Sequence, residues 1–94
     1  MKKLILLFLC IPFFLTAQSK KQKVIFDCDL GDDIDDAYAL AYLLTQQDKL
    51  DILGITTCYG RTDDRARLAL KMLHEMGQGH IPVFMGRNKL YGGY

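Results

Sequence analysis

The chain has 94 residues, a formal net charge of +1 at pH 7, and 12 basic residues against 11 acidic ones. This length limits it to one domain or part of one. Apart from Lys2 and Lys3 at the start, basic residues cluster only in the short segment Lys20, Lys21 and Lys23, so the charge pattern predicts no nucleic-acid interface.

The first 18 residues have the organisation of a signal peptide. Lys2 and Lys3 precede an apolar segment, and Thr16-Ala17-Gln18 supplies small residues for cleavage. The apolar segment contains Pro12 and is shorter than the ~20 residues of a spanning helix, which disfavours the alternative of an uncleaved membrane anchor. We predict a signal peptide over 1–18 and a mature chain over 19–94, periplasmic or secreted and without membrane attachment after cleavage. Removing Lys2 and Lys3 changes the formal charge from +1 to −1.

The mature segment alternates between strand-like and helix-like patterns. Short apolar segments predict strands at Lys23–Phe26, Leu50–Thr56 and Ile81–Met85. Between them, two segments carry apolar residues at the i, i+3, i+4, i+7 spacing of a helix. The inward stripes of these helices are predicted to be Ala37, Leu40, Ala41 and Leu44 in the first, and Ala66, Ala69, Leu70 and Leu73 in the second.

The predicted helix boundaries follow from capping residues. The first helix is expected from Asp35 to about Gln46. Thr62 is expected to be the N-cap of the second, with Asp63 and Asp64 in its first turn, and Gly77 is expected to end it.

The order β-α-β-α-β predicts an α/β fold with an open parallel, Rossmann-like sheet. Right-handed crossovers that step in one direction place both helices on the same face. The first and third strands are nevertheless apolar without alternation, as in strands covered on both faces. The second face therefore lacks a cover, and we predict the front part of a larger, truncated domain, or a homo-oligomer.

An acidic loop follows the first strand. Carboxylates this close remain ionised together only when they are fully solvated or share a cation. A hard, oxygen-seeking ion, Ca²⁺ or Mg²⁺, fits such a loop, and the alternative is a solvated acidic turn that leads into a helix. The loop holds six aspartates within ten residues: Asp27, Asp29, Asp32, Asp33, Asp35 and Asp36.

Ligands of open parallel sheets bind at the carboxyl ends of the strands. Three segments are expected to meet there: the loop Asp27–Asp36, the segment Thr56–Arg61, and Gly86 with the two residues after it. Two interpretations remain open for Arg61, which either pairs with the acidic loop or lies in solvent. Cys28 and Cys58 also follow strands and are expected to be two buried thiols rather than a disulfide.

Three blocks of the mature sequence resemble the inosine-uridine preferring nucleoside hydrolases. The resemblance extends from about Lys23 to Gly86 and implies the N-terminal part of a Ca²⁺-dependent hydrolase that cleaves the N-glycosidic bond of ribonucleosides. The blocks are Asp27-Cys28-Asp29-Leu30-Gly31 with Asp35-Asp36-Ala37, then Leu53-Gly54-Ile55-Thr56-Thr57 with Gly60, and Ile81-Pro82-Val83-Phe84 with Gly86.

The resemblance also assigns roles by position. It implies that Asp29 is a metal ligand and the general base, that Asp36 is a second metal ligand, and that Asp35 accepts a hydrogen bond from a ribose hydroxyl. Asp27 is expected to stabilise the loop without binding the metal itself.

Departures from the family pattern limit what the resemblance implies. Three residues separate Gly31 from Asp35, two more than usual, and Arg61 replaces an asparagine that touches the sugar. The family's remaining metal ligands and its leaving-group acid belong to later sequence, so this chain is expected to be inactive alone.

Two other readings compete with this family. Asp27 and Asp29 after an apolar strand also resemble the first motif of haloacid-dehalogenase-type phosphatases, which use Mg²⁺, although Gly31 stands where that motif has Thr or Val. The other alternative is a non-catalytic metal-binding fragment, although Asp32 and Tyr38 stand where an EF-hand loop beginning at Asp27 has Gly and Glu.

Overall fold

A computed structural model describes residues 20–88, and the predicted signal peptide lies outside them. The described residues confirm the predicted order β-α-β-α-β. The elements are β1 (Gln22–Cys28), α1 (Asp35–Leu44), β2 (Leu50–Thr57), α2 (Thr62–Glu75) and β3 (Val83–Met85). None of the helices within this range is long and apolar enough to cross a membrane.

The three strands form one parallel sheet in the order β1-β2-β3, as predicted. The register shifts by one residue where Val24 pairs with Ile52 and Ile25 pairs with Gly54, which leaves Leu53 as an extra residue in β2. This bulge breaks the alternation of β2, so that Ile52 and Ile55 are both buried although they are three residues apart.

Both helices pack on one face of the sheet. Leu40 and Leu44 of α1 and Leu73 of α2 form a single buried cluster with Ile52 and Ile55 of β2. The inward stripe of α2 differs from the prediction at one position, because Leu70 is 51% exposed. Burial instead follows Thr62, Ala66, Ala69 and Leu73, with Met72 packed against their edge.

The other face of the sheet is uncovered in the part of the chain that the structure describes. Ile25 of β1 and Phe84 of β3 are 62% and 58% exposed. This confirms the expectation that apolar residues of β1 and β3 face outward without a covering layer among the described residues.

The start of α2 differs from the prediction, whereas its end agrees with it. Thr62 is not an N-cap but a fully buried first helical residue, and its hydroxyl donates to the Gly86 carbonyl at 2.8 Å. At the other end, Gly77 has φ +69° and donates to His74, while Gln78 donates to the Leu73 carbonyl at 2.7 Å. These bonds form a Schellman motif, which confirms Gly77 as the end of the helix.

Gly86 joins the end of β3 to β2 and α2. Its carbonyl accepts the Thr62 hydroxyl, and a Cβ added at this position would collide with the Thr57 carbonyl oxygen. Because that neighbour is backbone, it has little freedom to move.

We expect Gly86→Ala to lower the free energy of unfolding by about 1–3 kcal/mol. Gly79→Ala is the matched control, since nothing lies within 4 Å of its Cβ position. Equal denaturant midpoints for the two variants would contradict this packing.

Candidate functional site

The acidic loop after β1 and the segment after β2 lie side by side at the carboxyl ends of these two strands. The Cys58 amide donates to the Cys28 carbonyl at 2.9 Å, so the strand pairing continues one residue beyond β2. The Thr56 hydroxyl donates to Asp27 Oδ1 at 2.7 Å. Asp27 thus contacts the neighbouring strand, which is compatible with the supporting role that the resemblance implies.

Asp29 and Asp36 are seven residues apart in sequence and meet at this edge. The backbone N–H of Asp29 donates to Asp36 Oδ2 at 2.9 Å, which ties the start of the acidic loop to the first turn of α1. A hydrogen bond with the Asp29 side chain raises the pKa of Asp36, and burial together with the charges of Asp29 and Asp35 adds to the increase. The loop therefore joins the Asp29 backbone to the Asp36 carboxyl group and places two carboxyl groups that repel each other at the same edge.

Two carboxyl groups that repel each other at short range are suited to share a hard cation. Their donor atoms are oxygens, which fit Ca²⁺ or Mg²⁺ better than a soft metal. Among residues 20–88, however, no group of three or more His, Cys, Asp or Glu side chains is arranged to hold a metal ion. Asp29 and Asp36 thus fit as part of a coordination shell, and further oxygen donors are required to complete one.

The other loop aspartates are more exposed. Asp35 is the first residue of α1 and points at solvent, next to Asp36. Asp32 Oδ1 lies 4.0 Å from Arg65 Nη2, and Asp33 is exposed at the rim of a cavity of about 290 Å³ behind the loop. The structure therefore brings together Asp29 and Asp36, and it leaves Asp35 accessible beside them.

Arg61 and Arg65 differ sharply in their surroundings. Arg61 directly precedes α2 and pairs with Asp64 of that helix at 2.8 Å, and its side chain is 67% exposed. Its ion pair is therefore with α2 and not with the acidic loop. Arg65 was not singled out from the sequence, yet its guanidinium bonds to the carbonyls of Asp29, Leu30 and Tyr59. The sequence signal was its place in the first turns of α2, where a cation is unfavourable unless it has a tertiary partner.

The two cysteines at this edge are free thiols, as predicted. Cys28 is buried, but Cys58 is exposed, so the expectation of two buried thiols is wrong for Cys58. Burial raises the pKa of the Cys28 thiol, and the charge of Asp36 adds to the increase. The pKa of the exposed Cys58 thiol is raised by partial desolvation and by the charges of Asp27 and Asp29. The strand ends therefore carry a negative potential that favours neutral thiols and bound cations over thiolates.

Comparisons with known proteins point to one family. The sequence model of the inosine-uridine preferring nucleoside hydrolases matches residues 24–92. A protein of Corynebacterium ammoniagenes, named only as an uncharacterized protein in the ribF 3′ region, is 37% identical over 67 residues, which are 69% of this chain and 70% of that protein. No solved structure matches the chain.

The fold and the site define an α/β protein with an acidic carboxyl edge on a parallel sheet. The chain belongs to the inosine-uridine preferring nucleoside hydrolase family, as the motifs predicted. This family acts on ribonucleosides and is in general metal-dependent. The match decides between the two enzyme interpretations, against the haloacid-dehalogenase-type phosphatases.

Proposed function

We propose that this chain forms the N-terminal part of an exported, Ca²⁺-dependent nucleoside hydrolase and supplies the water-activating and ribose-binding side of its site. The observation that carries the proposal is the contact between Asp29 and Asp36 at the carboxyl edge of the sheet. These are the two residues to which the family resemblance assigns metal binding.

The chemistry suits the residues that meet there. Cleavage of an N-glycosidic bond develops positive charge on the ribose, which nearby carboxylates stabilise. Asp29 would accept the proton of the attacking water, and Asp35, exposed beside Asp36, would accept hydrogen bonds from ribose hydroxyls. A Ca²⁺ ion held by Asp29 and Asp36 would lower the pKa of that water.

Neither histidine of the described residues lies near the acidic loop, where it could protonate the leaving base. His74 is in the last turn of α2 and His80 precedes β3, so both lie toward the amino ends of the strands, opposite the acidic loop. The cavities of about 290 and 350 Å³ beside the loop are not lined by Asp29, Asp35 or Asp36. We therefore propose that the chain does not catalyse hydrolysis by itself.

Calorimetric titration tests the metal assignment. We expect Ca²⁺ to bind the chain loosely, with a dissociation constant of about 10⁻⁴–10⁻³ M, because two carboxylates supply only part of a coordination shell. Mg²⁺ should bind more weakly, since it requires a near-ideal octahedral arrangement of ligands. The absence of any Ca²⁺ heat in this concentration range would contradict the proposed metal site.

The exported location leads to a separate prediction. The basic start, the apolar segment and Thr16-Ala17-Gln18 predict cleavage after residue 17 or 18. Mass spectrometry of the chain recovered from the periplasm or medium should therefore show a mature protein that has lost this segment. Recovery of the soluble chain from the cytoplasm with Met1 intact would refute the prediction.

A further inference from the structure

Arg65 occupies a position that its own helix does not favour. It is the fourth residue of α2, where the positive end of the helix dipole disfavours a cation, yet its side chain is only 12% exposed. A guanidinium buried to this extent is stabilised only if its donors have partners. The position of Arg65 thus indicates a tertiary role.

The partners of Arg65 come from two separate loops. Its Nη1 donates to the carbonyls of Asp29 at 2.7 Å and Leu30 at 3.1 Å, and its Nε donates to the Tyr59 carbonyl at 2.7 Å. The guanidinium also lies 5.7 Å from the centre of the Tyr59 ring. Arg65 therefore joins the acidic loop after β1 to the turn after β2.

The turn after β2 has a conformation that needs such support. Tyr59 has φ +69° and Gly60 has φ +63°, so two consecutive residues are left-handed. This conformation costs a residue with a Cβ roughly 1–2 kcal/mol. A charge-assisted hydrogen bond from Arg65 to the Tyr59 carbonyl offsets part of that cost.

In the acidic loop, both peptide groups that flank the Asp29 side chain are fixed. The Asp29 N–H bonds to Asp36 Oδ2, while its carbonyl accepts Arg65 Nη1 and the Asp32 N–H at 3.1 Å. The turn from Asp29 to Asp32 passes through Gly31 at φ +97°. Because the peptides on either side are held, the direction of the Asp29 Cα–Cβ bond is held too, which limits where its carboxylate can lie.

We propose that Arg65 is a positioning residue that fixes the Asp29–Asp32 turn and thereby orients the Asp29 carboxylate for the cation shared with Asp36. The proposal rests on the proposed function of that pair. Arg65 itself does not touch the cation, since its contacts in this loop are mainly to peptide carbonyls. Lysine would keep the charge but lacks the planar, divergent donors that reach three carbonyls at once.

The test compares Arg65→Lys with Arg67→Lys. Arg67 lies on the same helix, its side chain is 78% exposed, and its contact with Asp64 is 3.8 Å long, so it is a matched control. Amide hydrogen exchange is measured by NMR on the metal-free chain. In Arg65→Lys, the Asp29 and Asp32 amides should exchange about tenfold faster. The core Ile55 amide, which donates to Pro82, should keep its rate, and Arg67→Lys should resemble the wild type.

If Arg65 had a purely structural role, Arg65→Lys would raise the exchange rates of the loop amides and of the Ile55 amide together. That result would overturn the proposal, and so would unchanged exchange rates at Asp29 and Asp32. Ca²⁺ affinity is then measured in the same variants, and Arg65→Lys should bind about 10–100-fold more weakly than wild type. Equal affinity despite faster loop exchange would also overturn it. A different outcome is that the loop amides exchange faster in Arg65→Lys but the wild type binds no Ca²⁺. This outcome would support the positioning of the turn by Arg65 and would contradict the proposed function.

Discussion

Ca²⁺ binding is expected to disappear in the double variant Asp29→Asn, Asp36→Asn. Asparagine keeps the size of each side chain and an oxygen that accepts hydrogen bonds, so the Asp29 N–H retains a partner. The substitutions remove both anionic ligands, which supply most of the attraction for a hard cation. Calorimetric titration should show no saturable heat for this variant.

The control for this variant replaces two aspartates remote from the site. Asp48 and Asp51 are exposed near the start of β2, at the opposite edge of the sheet, and Asp48→Asn, Asp51→Asn removes the same charge. Wild-type affinity is expected for the control. Retained Ca²⁺ binding in the Asp29, Asp36 variant would show that other residues hold the ion.

In the absence of metal, the Asp29→Asn, Asp36→Asn variant should be at least as stable as the wild type. The pKa of Asp36 is raised in the folded chain, so this carboxyl contributes stability when it is protonated and loses that contribution as the pH rises through its folded pKa. A neutral amide removes the repulsion at neutral pH. We expect the thermal midpoint of the metal-free variant to be equal or higher, and a marked decrease would contradict the repulsive contact.

No measurable release of base from inosine or uridine is expected from the purified 94-residue chain. Neither histidine of residues 20–88 lies near Asp29 and Asp36. The lack of a positioned leaving-group acid would remove a factor of about 10²–10⁴ in rate, before any cost of the incomplete metal shell. The assay follows free hypoxanthine and uracil by chromatography, with an active nucleoside hydrolase as the positive control. Robust hydrolysis by this chain would contradict the proposal and would point to a homo-oligomer that completes the site between copies.

Much of the fold was predictable because it depends on local patterns. Hydrophobic periodicity located each strand and helix of residues 20–88, and the parallel order followed from their alternation. Two details depended on contacts distant in sequence. Thr62 is a good N-cap in isolation, but the Gly86 carbonyl takes its hydroxyl, and Leu70 fits the helical stripe but lies outside the area that the sheet covers.

The aspartates of the site could be predicted from the sequence, but the role of Arg65 could not. The crowding of aspartates identified the loop, because their mutual repulsion requires an explanation from the sequence alone. The contacts of Arg65 with Asp29 and Leu30 span 36 and 35 residues and involve peptide carbonyls, which every residue has. No side-chain pattern marks such partners. Only the unfavourable place of Arg65 near the start of its helix pointed to them.

The most direct test of the shared cation site is a Ca²⁺ titration of the isotope-labelled chain followed by NMR. If Asp29 and Asp36 hold the ion, the largest shifts should fall on the amides of residues 29–36 and on the adjoining turn at Tyr59 and Gly60. The amides near Asp48 and Asp51 should not move. Shifts centred on those two residues, or no shifts at the aspartate loop at saturating Ca²⁺, would contradict the assignment of this edge of the sheet as the metal site.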